Sequence, residues 1–195
     1  MIAAGHFEMV PLGCVSALSN GPATSQDSPP RHFIMMAGIG FDADAVRGVK
    51  DALKRRWGRA AYVIAGLRSF ANYAAPPVRF RFEDKAAMAG YSAIVSNISR
   101  YAGSFRIAPD GALRQPWLNV CAFRRASRWS LLRYVVAIGL GRHTRRGDVI
   151  CRRATCLEAK ARPGAVPLQV DGDYWGCLPV RIVIEPARLR LYLPE

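Results

Sequence analysis

The run Val78-Arg79-Phe80-Arg81-Phe82 alternates apolar and basic side chains, the period-two pattern of a strand with one face in water. Short apolar runs recur along most of the chain, at 7–10, 12–15, 91–96, 118–123, 166–170, 180–185 and 189–193. His32–Met36 reads as one buried strand, and 150–161, where apolar and charged residues mix, as one longer strand. Helical spacing is confined to three places. Val46, Val49, Leu53 and Trp57 share one face of a helix over 44–57, opposite Arg47, Lys50, Lys54, Arg55 and Arg56. A second helix covers 59–73 and is stopped by Pro76-Pro77. A third spans 127–140. Residues 19–30, with Asn20-Gly21 and three prolines, read as a loop. Many short strands with turn signals between them predict an α+β, mostly β fold. We expect one domain over residues 1–195, an antiparallel β-sandwich or barrel-like sheet with an inserted pair of helices.

Composition adds a setting. With 195 residues, 51% of them hydrophobic, the chain has enough apolar surface for a real core and is not disordered. The net charge of +14 implies anionic partners: nucleic acid, acidic lipid or phosphorylated ligands. Charge alone does not choose among them, but no aromatic stacking pattern or recognition motif for nucleic acid accompanies it, so nucleic acid is not expected. The first fifteen residues lack the basic start and sustained apolar core of a signal peptide, and no apolar run approaches the ~18 residues of a membrane span. A cytoplasmic chain, peripheral at the inner face of the membrane, is the expectation. Five cysteines are scattered without a C-x-x-C pair and the three histidines are isolated, which argues against zinc and for reduced, buried thiols. Oligomeric state, a homodimer included, is left open.

Three stretches carry candidate chemistry. Ala37-Gly38-Ile39-Gly40-Phe41-Asp42-Ala43-Asp44 places two glycines after a strand and two aspartates at a helix start, where carboxylates either cap free amides or face a ligand. Asp171-Gly172-Asp173 follows a short strand and is a strong hairpin signal. The segment 127–140 combines Trp129, Leu131, Leu132, Val135, Val136 and Ile138 with flanking arginines and no acid. It reads either as an interfacial helix on anionic headgroups or as a packed helix with a solvated basic rim.

Taken in order, the G-x-G-F-D-A junction, Gly58-Arg59-Ala60-Ala61-Tyr62, Asn97-Ile98-Ser99-Arg100-Tyr101-Ala102-Gly103 before Ala108-Pro109, and the late Asp171-Gly172-Asp173 resemble the C-terminal domain of the diacylglycerol kinase family, which includes sphingosine kinases and bacterial lipid kinases. The resemblance covers about 7–194. It implies ATP-dependent phosphorylation of a diacylglycerol-like lipid hydroxyl, with ATP and Mg2+ as the family's cofactors and an anionic membrane surface as a partner. It also implies roles. Asp171 would be the general base, supported by Asp173, and Asp42 and Asp44 would orient the polar head of the lipid. The family's D-G-E is D-G-D here, so Asp173 is one methylene short. The family's structural-magnesium Asp-Gly falls on Gln115-Pro116, and a neutral amide is a poor ligand for a hard cation, so that metal is not carried over. Nothing matches the family's G-G-D-G-T phosphate loop. The chain therefore reads as the substrate-side domain without its N-terminal ATP-binding domain, and is expected to be inactive alone. A non-catalytic lipid-binding or membrane-binding role is the alternative.

Overall fold

The computed structural model describes residues 5–18, 29–47, 76–101, 105–108, 111–161 and 164–194. Two six-stranded sheets, antiparallel at every pairing, form a sandwich, and neither closes into a barrel. The first sheet contains β1 (Gly5–Ala17), β2 (Arg31–Phe33), β4 (Val78–Phe82), β5 (Ala87–Gly90), β11 (Cys156–Ala161) and β14 (Val180–Pro194), in the order β2-β1-β14-β11-β4-β5. The second contains β3 (Met36–Ile39), β6 (Ser92–Ser96), β9 (Leu118–Phe123), β10 (Val149–Ala154), β12 (Pro167–Val170) and β13 (Asp173–Cys177), in the order β10-β9-β6-β3-β12-β13. A short ribbon pairs β7 (Arg100–Tyr101) with β8 (Phe105–Arg106). Two helices are described, α1 (Phe41–Arg47) and α2 (Arg128–Gly139). The expected helices over 44–57 and 59–73 lie almost wholly outside the described residues, as does most of the 19–30 loop.

The core between the sheets is built from Phe33, Ile39, Phe80, Leu157, Leu168 and Ile182, each at most 1% exposed. In β4 the basic side chains point to water and the apolar ones inward, as the alternation requires. The second sheet differs. On β9, Val120 and Ala122 face the sandwich core, while Cys121 and Phe123 face a second apolar cluster with Leu131 and Tyr134 of α2. A strand covered on both faces has no reason to alternate, which is why β6 and β9 read as continuous apolar runs.

Several expected strands are redrawn. The runs at 7–10 and 12–15 are one strand with a register shift at Pro11, which has no N–H to give to a ladder. Its partner β14 likewise unites 180–185 and 189–193. Conversely, His32–Met36 is not one strand. β2 pairs with β1 in the first sheet, β3 pairs with β6 and β12 in the second, and the chain crosses between them at Ile34-Met35. The stretch 150–161 is divided the same way, with Thr155 at the crossing between β10 and β11. The cysteines also depart from expectation. Register sets Cys121 directly opposite Cys151, with Cα atoms 4.2 Å apart, and the two form a disulfide. Cys14 and Cys177 are buried thiols.

Candidate functional site

The glycine-aspartate junction is built around one carboxylate. β3 ends at Ile39, Gly40 turns the chain at φ +83°, and α1 begins at once, its first turn carrying Asp42 and Asp44. Asp42 folds back over β3. A Cβ on Gly38 would stand 1.9 Å from Asp42 Oδ2, so the carboxylate occupies the space that any other side chain there would need. From this seat Asp42 Oδ2 accepts a 2.6 Å hydrogen bond from Gln169 Nε2. Asp44 is placed differently. Its Oδ1 takes a 3.1 Å bond from Arg47 one turn along the helix.

Gln169 joins this junction to the second motif. It is fully buried on β12, and its Oε1 accepts from the Gly172 N–H at 2.7 Å. Asp42, Gln169 and the Asp171-Gly172-Asp173 turn thus form one hydrogen-bonded line. Sequence reasoning missed Gln169; the available signal was a neutral amide between Leu168 and Val170, in a strand otherwise apolar and immediately before the turn.

Asp171 and Gly172 both have positive φ, +49° and +88°, the signature of a type I′ hairpin, and β12 and β13 pair across them. The Asp171 carboxylate points back to the Ile34-Met35 crossing. Its Oδ2 accepts from the Ile34 N–H at 2.8 Å, and its Oδ1 from Met35 at 3.0 Å and Met36 at 2.8 Å. A carboxylate has about four acceptor positions, so three are already used. Asp173 sits on the exposed side of the turn in a 2.9 Å ion pair with Arg31, its side chain 58% exposed.

Beside Asp42 lies an apolar cavity of about 110 Å³. Ile39 and Phe41 form one wall and Ala93, Ile94 and Phe123 the floor, while Leu131, Tyr134 and Ile138 of α2 close it and Asp42 is its acidic side chain. Burial and the nearby Asp148 push the Tyr134 hydroxyl up to about 12. It donates to the Asp148 carbonyl at 3.4 Å and accepts from the Arg125 N–H at 3.2 Å, so the wall it forms is uncharged.

Asn97, from another of the sequence motifs, is buried and structural: its Nδ2 donates to the Pro11 carbonyl at 3.0 Å and its N–H to Met35. Among the described residues two trios of ligand atoms lie within 4.8 Å, Cys121/His143/Cys151 and Cys14/His32/Glu185, and neither includes Asp42, Asp44, Asp171 or Asp173. In the first trio the two sulfurs are bonded to each other. The Gln115 N–H closes a turn on the Ala112 carbonyl at 3.1 Å. Among the described residues no helix is long and apolar enough to cross a membrane.

Residues 35–193 match the family model described as the YegS C-terminal NAD kinase beta sandwich-like domain. Diacylglycerol kinase of Staphylococcus epidermidis RP62A is 22% identical over 194 residues, covering 97% of this chain and 61% of the relative. The diacylglycerol kinase of Staphylococcus carnosus TM300 is 22% identical over 166 residues, covering 85% of this chain and 54% of its own length. The chain therefore spans a little over half the length of the curated relatives it matches. A crystal structure from Bacillus anthracis str. Sterne, provisionally described as a diacylglycerol kinase, superposes with a TM-score of 0.67 at 16% identity, over 95% of this chain and 56% of that one. A second from the same organism gives 0.56 at 12% identity over 95% and 53%. At such identities the superpositions establish the fold.

Proposed function

Because the chain belongs to the family of the YegS C-terminal NAD kinase beta sandwich-like domain, we propose that it is the substrate-side domain of a lipid kinase that phosphorylates a diacylglycerol-like hydroxyl at a membrane surface. The observation that carries this reading is the apolar cavity with Asp42 in its wall, the carboxylate fixed by Gln169 and by the open space over Gly38. An apolar slot with one oriented acceptor suits a molecule that is hydrocarbon with a hydroxyl at one end. The names of the staphylococcal relatives point the same way.

In this reading the lipid hydroxyl donates to Asp42 on binding, and Asp44, two residues along α1 and held by Arg47, orients the polar head with it. As the hydroxyl oxygen forms the new bond to the γ-phosphorus of ATP and ADP leaves, the O–H turns from Asp42 to a carboxylate of the 171–173 turn, which takes its proton. Both aspartates of that turn remain in the proposal, with their duties divided. Asp171, three of its acceptor positions taken by amides, holds the turn and the crossing in place. Asp173, at the surface end of the line, is the proton acceptor. Nucleotide is supplied by a joined ATP-binding domain.

The test has two arms. Monomeric dioctanoylglycerol should bind this chain, and Asp42→Asn should weaken it at least ~10-fold, the loss expected when a charge-assisted bond becomes a neutral one. The chain fused to a relative's nucleotide-binding domain should transfer phosphate from ATP to the same lipid, with Asp173→Asn cutting kcat by ~100-fold or more. Binding without turnover in any fusion would favour the second reading, a lipid-binding domain without catalysis; the ion pair that holds Asp173 to Arg31 is what speaks for it.

A further inference from the structure

The two faces of α2 do different things. Leu131, Tyr134 and Ala137 are buried against the second sheet. On the opposite face Trp129 is 72% exposed, Leu140 64%, Val135 55% and Val136 51%, with Leu132 also in water. Five bulky apolar residues in three turns, exposed among the described residues, form a contiguous patch of the kind that marks an interaction surface. The sequence flanking it is basic, with Arg124, Arg125, Arg128, Arg142, Arg145 and Arg146. From 111 to 147 the chain contains no aspartate or glutamate. At the base of the helix Arg124, Arg125, Arg145 and Arg146 line an open depression of about 710 Å³. Asp148 is the acid there, and it is engaged by Arg146 through two bonds of 2.9 and 3.0 Å.

The cavity beside Asp42 opens at this same face. Val135 and Phe105 line it and are also exposed, 55% and 43%. At about 110 Å³ it is well below the ~300–1,000 Å³ that encloses a drug-sized ligand, and far too small for a two-chain lipid. The chains of any such lipid must leave past Val135 and Phe105, towards whatever covers the outer face of α2.

We propose that the outer face of α2, with the arginine depression at its base, docks on an anionic phospholipid bilayer and sets the mouth of the Asp42 cavity against the hydrocarbon. The choice of occupant follows from charge and from side-chain type. A second copy of the chain, meeting this face about a two-fold axis, would bring one arginine cluster against another. Nucleic acid would satisfy the arginines but has no use for Leu132, Val135, Val136 and Leu140, which are aliphatic and do not stack on bases. A bilayer interface satisfies both sets, with Trp129 and the aliphatic residues below the headgroups and the arginines at the phosphates. The idea rests on the reading of the cavity as a lipid site, and its test separates the two.

The chain should co-sediment with vesicles of phosphatidylcholine containing about 30 mol% phosphatidylglycerol and much less with phosphatidylcholine alone, with binding falling steeply as salt rises. Trp129→Ser with Leu140→Ser should lower the partition coefficient at least ~10-fold, through lost apolar burial in the interface. Arg124→Gln with Arg145→Gln should bring binding to anionic vesicles down towards the neutral level. Neither the Trp129/Leu140 pair nor the arginine pair touches Asp42, and circular dichroism checks that each variant is folded. Unchanged partition in both double variants, or equal binding to neutral and anionic vesicles, would overturn the proposal. So would a dimer in solution that Trp129→Ser dissociates. If monomeric dioctanoylglycerol fails to bind while partition follows the expected pattern, the cavity reading falls and the docking surface stands. If the lipid binds and partition ignores the variants, the reverse holds.

Discussion

The chain crosses between the two sheets at 33–36 and again at 154–156, and both crossings are solved with the same device. A strand that leaves one ladder before joining another strands its amides, and an unpaired amide at a packed edge is costly. At Ile34-Met35 the Asp171 carboxylate receives three N–H groups at 2.8 to 3.0 Å. At Thr155 the Glu83 carboxylate receives two, from Thr155 at 3.0 Å and Cys156 at 3.4 Å. The difference lies in what each carboxylate is attached to. Glu83 belongs to the exposed turn between β4 and β5, far along its sheet from β2 and β1. Asp171 belongs to the turn whose neighbour Gly172 is bonded to Gln169, and through it to Asp42. One crossing is architecture only. The other fixes the architecture and the proposed site with a single side chain, so the two should respond differently to equivalent substitutions.

Gly38→Ala should have the largest effect. The new methyl meets Asp42 Oδ2 and Gln169 Nε2, so either the strand shifts or the carboxylate is expelled. A loss of roughly 2–3 kcal/mol in a urea titration is expected from overpacking, together with loss of dioctanoylglycerol binding. Asp171→Asn comes next. Asparagine tolerates the left-handed φ but offers one acceptor oxygen in place of two, leaving at least one amide unmet at a cost of about 1–3 kcal/mol. Lipid binding should weaken alongside stability, because the Gln169–Gly172 bond rides on the same turn. Glu83→Gln should cost below ~1 kcal/mol, since its side chain is exposed and water replaces much of what is lost. Lipid binding should be untouched. Equal effects of the Asp171 and Glu83 substitutions on binding would dissolve the distinction.

The smallest effect is in the pH dependence. Partial burial works to raise the Glu83 carboxyl, but the amides of Thr155 and Cys156 outweigh it and hold the group below its ordinary 4.5. A depressed carboxylate contributes stability that is complete above that value and disappears as pH falls through the lower folded-state one. Asp148 is likewise held below 3.8, chiefly by its bonds from Arg146, and adds to the same acid limb. Glu83→Gln should flatten stability against pH below about 4.5 without changing the neutral plateau by more than the loss above.

What the sequence disclosed follows from which interactions are local. The Gly38/Gly40/Asp42 junction and the Asp171-Gly172 turn are both written in a few consecutive residues, and their glycines answer to backbone geometry in the same stretch. The helix over 127–140 was legible and stands as α2, but which of its apolar residues are buried was not. The two crossings were not, because Phe33, Ile34, Met35 and Met36 are apolar without interruption, and the signal that breaks the run is a carboxylate 135 residues away in the case of Met36. Gln169 was overlooked for the same reason: its meaning comes from Asp42, a residue 127 positions earlier. The expectation of reduced thiols failed at Cys121 and Cys151 because spacing along the chain says nothing of register across β9 and β10.

The pairing of β1 with β14 has a bearing on how the chain folds. Gly5 is aligned with Pro194 and Ala17 with Val180, so the first of the described strands finds its main partner in the last of them. Such a contact closes a loop of nearly the whole domain, and topologies of this kind fold slowly. During synthesis β1 must wait, its apolar side chains Val10 and Val15 uncovered, until β14 emerges. The same alignment leaves the two ends side by side. A short flexible linker joining them, with new ends opened at Gly147, should yield a circular permutant in which the β1–β14 ladder becomes a hairpin. Its refolding rate should rise if closure of that loop is the slow step.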